Sequence, residues 1–266
     1  MTNPTAFNLV ALASLVPIAL LPWRPQAGRD VWFWAALGLA LVVSVGWAVV
    51  QVEPVWSAGF STALWLTIGA TLLGFLLIAV LVDEAWRLAP LLMPYLLLLG
   101  ILATGWGHAS AHDSHAASPL GWLAVHVVVS LATYVLITLG AVAGAAVLIH
   151  ERALKRRAPS RLSRSLPSVA DAELLERRLL VAAEIILGLG IVTGMATQYV
   201  IDQHLIDFGH KTLLALAAFV VLAGILLAQK LWGLRGRRAA RYVLVVYLLL
   251  TLAYPGVKFV TDVILA

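Results

Sequence analysis

The stretch LGWLAVHVVVSLATYVLITLGAVAGAAVLI, residues 120–149, is an apolar run without a charged side chain. Its length predicts a membrane-spanning helix, because about 20 apolar residues cross a bilayer and a barrel strand needs only about half as many. The whole chain has the same character: its 266 residues are 62% hydrophobic and 12% charged, and its mean hydropathy is +0.97. Soluble domains of this size carry more charge, so the composition indicates an integral membrane protein.

Composition also excludes several classes of function. The chain has no cysteine, which excludes disulfides and thiolate metal sites. The net charge of +5 does not indicate a nucleic-acid partner, because the basic residues lie beside apolar segments, where they orient a membrane protein. No nucleophile–base pair, phosphate-binding loop or carboxylate dyad is visible, so the sequence predicts a protein that is not an enzyme.

Apolar segments recur along the chain and predict an all-α, polytopic bundle of eight transmembrane helices in one membrane domain, residues 1–266. The segments are residues 6–21, 31–50, 58–82, 88–105, 120–149, 179–200, 211–231 and 240–264. The loops after the fifth and seventh segments are rich in arginine and lysine. By the positive-inside rule these loops are cytoplasmic, so both termini and the 4–5 and 6–7 loops face the periplasmic side of an inner membrane.

Six of the seven histidines then lie at the outer face. These are His108, His112, His115, His126, His204 and His210. His126 lies in the outer third of the fifth segment, with Ser130 and Tyr134 at i+4 and i+8 on nearly the same helix face. A histidine at membrane depth faces protein or a cavity. Two alternatives follow: a hydrogen bond to a neighbouring helix, or axial ligation of haem iron.

The remaining candidate residues lie at helix ends or in the 4–5 loop. His210 and Lys211 open the seventh segment, where a helix N-terminus and a lysine favour an anion such as a haem propionate; the alternative is contact with lipid headgroups. Trp122 either stacks on a porphyrin or belongs to the interfacial aromatic belt. The loop histidines 108, 112 and 115 either bind a divalent metal together with Asp113 or are solvated.

Three stretches resemble the cytochrome c assembly protein family of the CcsA and CcmC type, and most closely its short HemX-like and YpjD-like inner-membrane branch. They are HVVVSLATYVLITLGAVAGAAVLIHERALKRR (126–157), SLPSVADAELLERRLLVAAEIILGLGIVTG (165–194) and HKTLLALAAFVVLAGILLAQKLWGLRGRRAARYVLVVYLLLTLAYPGVKFV (210–260). The resemblance is strongest over residues 120–266. The first four segments are similar to the family only in hydropathy and number.

The resemblance implies non-covalent binding of b-type haem at the outer face and a role in cytochrome c maturation. His126 falls on the family's histidine position, and His210, near a polar turn of the family, is the candidate for the second iron ligand. Lys211, Trp122 and Tyr134 complete the predicted cofactor site. The Trp-rich motif and C-terminal histidine of the family's haem-delivery proteins are absent. The implied partners are the lipid bilayer and other maturation proteins, without nucleic acid.

Two other functions fit the same residues. One is a non-catalytic accessory subunit that regulates another membrane protein, with the basic loop at residues 150–178 as its contact surface. The other is a transporter for a metal or small molecule, which would capture its cargo at the outer histidines. A transporter requires polar residues that continue through the bundle, and the sequence offers few of them.

Overall fold

The computed structural model describes residues 4–24, 28–52, 59–106, 120–202, 209–256 and 259–260, and these are helical apart from short turns. Helix accounts for 91% of the structure, and the described residues contain no strand, which confirms the all-α class. Within these described ranges, seven helices are long and apolar enough to cross a membrane. The protein is therefore a multi-pass membrane protein.

Contacts divide the chain into two compact units, of which the first comprises residues 1–113, 152–168 and 258–266. Its elements are α1 (Pro4–Leu20), a 3-10 turn (Leu21–Trp23), α2 (Val31–Val52), α3 (Phe60–Leu81), a second 3-10 turn (Ala85–Leu88), α4 (Ala89–Gly105) and α6 (Arg161–Ser165). Helices α1 to α4 pack each against the next, and α4 also packs against α1.

A buried amide connects three helices of the first unit. Asn8 on α1 is 2% exposed. Its Oδ1 accepts hydrogen bonds from Trp47 Nε1 on α2 at 2.7 Å and from Trp65 Nε1 on α3 at 2.8 Å. A polar group inside an apolar bundle must be hydrogen-bonded. The pairing of one acceptor with two indoles therefore fixes the relative position of the three helices.

The second unit comprises residues 114–151 and 169–257. It contains most of α5 (Leu120–Arg156), together with α7 (Val169–Asp202), α8 (His210–Trp232), α9 (Gly236–Thr251) and a π-helical turn (Leu252–Gly256). One apolar core joins the four helices, with Ile137 of α5, Leu187 of α7, Leu222 of α8 and Val246 of α9 among its buried members.

Gly140 and Gly144 on α5 allow close helix packing, because small residues four apart let neighbouring backbones approach. A Cβ added to Gly140 would lie 3.3 Å from Leu180 Cδ2 on α7. A Cβ added to Gly144 would lie 3.4 Å from the Ala240 Cβ on α9. Larger side chains at these positions would push α5 away from α7 and α9.

The helices α5 and α7 are longer than the apolar segments from which they were predicted. The 37 residues of α5 extend to Arg156, and at 1.5 Å per residue they measure about 55 Å against a hydrocarbon core of about 30 Å. The 34 residues of α7 begin at Val169, ten residues before the predicted segment 179–200. Both helices therefore extend well past the hydrocarbon core. Most of their charged residues lie at those extensions, whereas Glu184 lies within the apolar segment 179–200.

The predicted eighth segment, residues 240–264, corresponds to α9 and the turn that follows it. Alone, α9 has 16 residues, fewer than the roughly 20 that span a bilayer. Its α-helical pattern ends because Pro255 has no N–H to donate to the Thr251 carbonyl. The π-helical turn brings Gly256, one residue later, beside the Thr251 carbonyl. A Cβ added to Gly256 would lie 3.2 Å from Thr251 O. A count of eight spans, with both termini outside, stays a prediction.

Candidate functional site on helices α5 and α7

The side chain of His126 lies about two turns into α5, half-buried against α7. Its Nδ1 is 3.2 Å from Thr193 Oγ1. The Thr193 hydroxyl donates its own proton to the Gly190 carbonyl at 3.1 Å. Because a hydroxyl has one proton, Thr193 Oγ1 is the acceptor of the bond to His126, and Nδ1 carries the hydrogen. This hydrogen-bond network leaves the His126 Nε2 with an available lone pair.

Within the described residues, the lone pair of Nε2 has only a weak hydrogen-bond partner. Among the described residues, the side chain that contacts Nε2 is Ser130, one turn along α5, whose Oγ is 3.5 Å from Nε2. This distance is at the limit for a hydrogen bond, so the contact is weak. An electron-pair acceptor such as a metal ion competes easily with so long a contact.

Two glycines on α7 face α5, and one of them, Gly194, makes room for the imidazole. A Cβ added to Gly194 would lie 3.0 Å from His126 Cε1, closer than carbon atoms ordinarily approach. A Cβ added to Gly190 would lie 3.6 Å from Val129 Cγ1 on α5. Gly190 and Gly194 are four residues apart, a spacing of small residues that lets helices approach closely. At Gly194 the backbone of α7 thus lies directly against the histidine ring.

Tyr134 lies on the same side of α5 but meets a different helix. Its hydroxyl is 3.4 Å from Tyr247 OH and 3.3 Å from Thr251 Oγ1, both on α9. The Tyr134 side chain is buried. A step of eight residues turns the helix by about 80° beyond two full rotations, so Tyr134 faces α9 whereas His126 faces α7. The structure therefore places Ser130 beside His126 and Tyr134 in a separate hydroxyl cluster.

The other predicted site residues are described less fully. His210 and Lys211 are the first two residues of α8, and Trp122 lies in the first turn of α5; the surroundings of these three side chains lie outside the described part of the chain. The loop histidines 108, 112, 115 and 204 also fall outside it. Within the described ranges, no three histidine, aspartate or glutamate side chains are grouped so as to hold a metal ion.

Thr193 is the residue that sequence reasoning missed. It lies 67 positions after His126, and helical periodicity cannot show which residues of two separate helices meet. A signal was nevertheless present, because Thr193 is a polar residue in an apolar segment and stands between Gly190 and Gly194. A hydroxyl beside a close-packing glycine is well placed to reach the neighbouring helix.

The described residues fit one axial position of a haem. A ligating histidine needs one nitrogen with a free lone pair and a second nitrogen that donates to a fixed acceptor. His126 meets both conditions through Nε2 and through its bond to Thr193. The backbone of α7 lies directly against this ring at Gly194.

Comparisons with known proteins identify the family of this chain. Residues 31–265 match the family described as Cytochrome C assembly protein. The chain is also 47% identical over 270 residues to an "Uncharacterized 28.8 kDa protein in nifR3-like 5'region" of Azospirillum brasilense, with 100% of each chain covered. No solved structure gives a significant match. The family match begins at residue 31, so it includes helices that resembled the family only in hydropathy and number. The chain belongs to the cytochrome c assembly protein family.

Proposed function

We propose that this protein binds haem in the membrane and acts in cytochrome c maturation, with His126 as an axial ligand. Its family supports a role in cytochrome c biogenesis. The observation that carries the ligand assignment is the hydrogen bond between His126 Nδ1 and Thr193 Oγ1, together with the Thr193 bond to Gly190 O. This pair of bonds holds the ring in one tautomer and one orientation, as partners of metal-bound histidines do.

The other residues have supporting roles in this proposal. His210 would supply a second nitrogen ligand for the iron, and Lys211, at the start of α8, would pair with a propionate. Trp122 stacks on the porphyrin face, and Tyr134 holds α5 against α9 below the site. Bound haem, of the non-covalent b type, would supply a redox-active iron. The side chains contribute ligation and orientation, so the protein presents its cargo without catalytic turnover.

The proposed orientation places this site at the periplasmic face of the inner membrane. Its support is the distribution of basic residues, which concentrate in the loops at the opposite end of the helices. In this topology α9 and the π-helical turn together make the eighth crossing. Reporter fusions at the two termini test it, since both termini would report an outer location.

Haem titration of the purified protein in detergent tests the proposal. We expect a shifted Soret band in the wild-type protein and its loss in His126→Ala. The matched control is His150→Ala, which removes an imidazole at the other end of the same helix and should leave the Soret band unchanged. A wild-type protein without a Soret shift, or a His126→Ala variant with an unchanged shift, would refute haem ligation by His126. A stable protein partner that co-purifies without haem would instead favour the accessory-subunit function.

A further inference from the structure

A cavity of about 120 Å³ lies in the first unit, apart from the residues proposed to bind haem. It is lined by Pro22, Trp86, Arg87, Pro90, Arg164 and Ser165. These residues come from three elements: the 3-10 turn after α1, the 3-10 turn that leads into α4, and the short helix α6. A volume of this size is several times what one water molecule requires.

The helix α6 is held firmly enough to position its arginine at this cavity. Ser160 caps it by accepting a hydrogen bond from Ser163 N at 3.1 Å. Leu166, which follows it, is 2% exposed. Arg161 Nη2 donates to Trp23 O at 2.6 Å and so fastens α6 to the turn after α1. Arg164 is thus carried on an anchored backbone although its own side chain is exposed.

The two guanidinium groups at the cavity exceed the negative charge available to them. Arg87 Nε pairs with Glu84 Oε2 at 3.0 Å, and a guanidinium has four further N–H donors. Arg87 also lies over the Trp86 ring, 5.6 Å from its centroid. Among the described residues Arg164 has no ion-pair partner. One positive charge therefore faces the cavity without compensation.

The lining combines these guanidinium groups with an apolar floor. Pro22 and Pro90 are buried, and the Trp86 ring completes this surface. Arginine binds phosphate oxygens in a bidentate way, and a site with two arginines selects phosphate over a single carboxylate. The two 3-10 turns adjoin the ends of the candidate spans that include α1 and α4, so the cavity lies near the bilayer surface.

From this geometry we infer that the cavity binds the phosphate group of an anionic phospholipid. Basic pockets between membrane helices recognise such headgroups, and the apolar floor suits the first methylene groups of the acyl chains. The basic run at residues 150–178 then has a defined ligand, held by Arg164, in addition to its role in topology. Inorganic phosphate offers the same oxygens without the apolar part.

Native mass spectrometry of the full chain in detergent tests the inference, with phosphatidylglycerol and phosphatidylcholine of identical acyl chains as probes. We expect phosphatidylglycerol to be retained preferentially. Its binding should weaken about tenfold or more in Arg164→Gln, because a hydrogen bond to a charged group contributes at least that much. Arg87→Gln should weaken it as well. Arg156→Gln is the matched control, since it removes an exposed arginine that does not line the cavity.

The source of the phosphate is decided by competition. Added inorganic phosphate should displace the lipid only at concentrations at which sulfate does the same through ionic screening. Displacement by phosphate alone at low concentration, with the same dependence on Arg164, would overturn the lipid assignment in favour of a soluble phosphate. If Arg156→Gln and Arg164→Gln weaken phosphatidylglycerol binding equally, the lipid is attracted to the basic loop as a whole and the cavity is not the site. Equal retention of phosphatidylglycerol and phosphatidylcholine would also overturn the cavity as a phosphate site.

Discussion

The substitution Thr193→Val removes the hydroxyl that accepts the hydrogen bond from His126 Nδ1 and leaves the side chain nearly the same size. In the folded protein this bond contributes about 1 kcal/mol, so thermal stability should fall only slightly. Haem affinity should fall by about 10- to 100-fold, the usual effect of removing a partner that orients a metal-bound histidine. The larger effect on haem is expected because both the tautomer and the ring orientation of His126 depend on Thr193.

The assay for Thr193→Val is haem titration in detergent, followed at the Soret band, beside thermal unfolding of the haem-free protein. Thr197→Val is the matched control: Thr197 lies one turn further along α7 and donates to Thr193 O at 2.8 Å, without a contact to His126. Thr193→Ser retains the hydroxyl and should keep most of the affinity. Unchanged haem affinity in Thr193→Val, or an equal loss in Thr197→Val, would refute the proposed role of Thr193.

Two further substitutions test packing. Gly194→Ala places a methyl group 3.0 Å from His126 Cε1. It should therefore lower the free energy of unfolding by about 1–3 kcal/mol and weaken haem binding. The control is Gly224→Ala, whose methyl group meets nothing within 4 Å and should have neither effect. Asn8→Ala leaves two tryptophan N–H groups without their acceptor. Each buried donor left unpaired costs about 1–3 kcal/mol of stability, so the thermal unfolding temperature should fall while haem affinity stays the same. Thermal unfolding in detergent measures both effects, and a neutral Gly194→Ala or Asn8→Ala would contradict the respective contact.

Hydropathy predicts the class of fold because burial in lipid requires a long apolar run for every crossing. It fails at helix ends that lie beyond the hydrocarbon core. The first two turns of α7 contain Asp171, Glu173 and Glu176, so the apolar segment starts only at residue 179, although the helix begins at Val169. The length of an apolar run also does not give the length of the α-helix. Within the run 240–264, α9 ends at Thr251 and Pro255 lies in a π-helical turn.

Within the candidate site, sequence periodicity places residues on a helix face but does not identify the opposing helix. Ser130 is correctly placed beside His126, because a step of four residues returns to the same face. Tyr134 does not lie beside His126, because a second step of four residues turns its side chain toward α9. Thr193 could not be predicted as the partner because the register of α5 against α7 is set by tertiary packing of side chains and glycines.

The close-packing glycine of α7 and the histidine of α5 belong to one site, although they lie in separate segments of the sequence. An imidazole half-buried in a membrane protein needs both space and a hydrogen-bond partner. Gly194 provides the space and Thr193 the partner, and the two are adjacent on α7. Thr193→Val removes the partner and keeps the space, whereas Gly194→Ala does the reverse. If ring orientation governs haem ligation, both variants lose affinity, but only Gly194→Ala loses more stability than one hydrogen bond supplies.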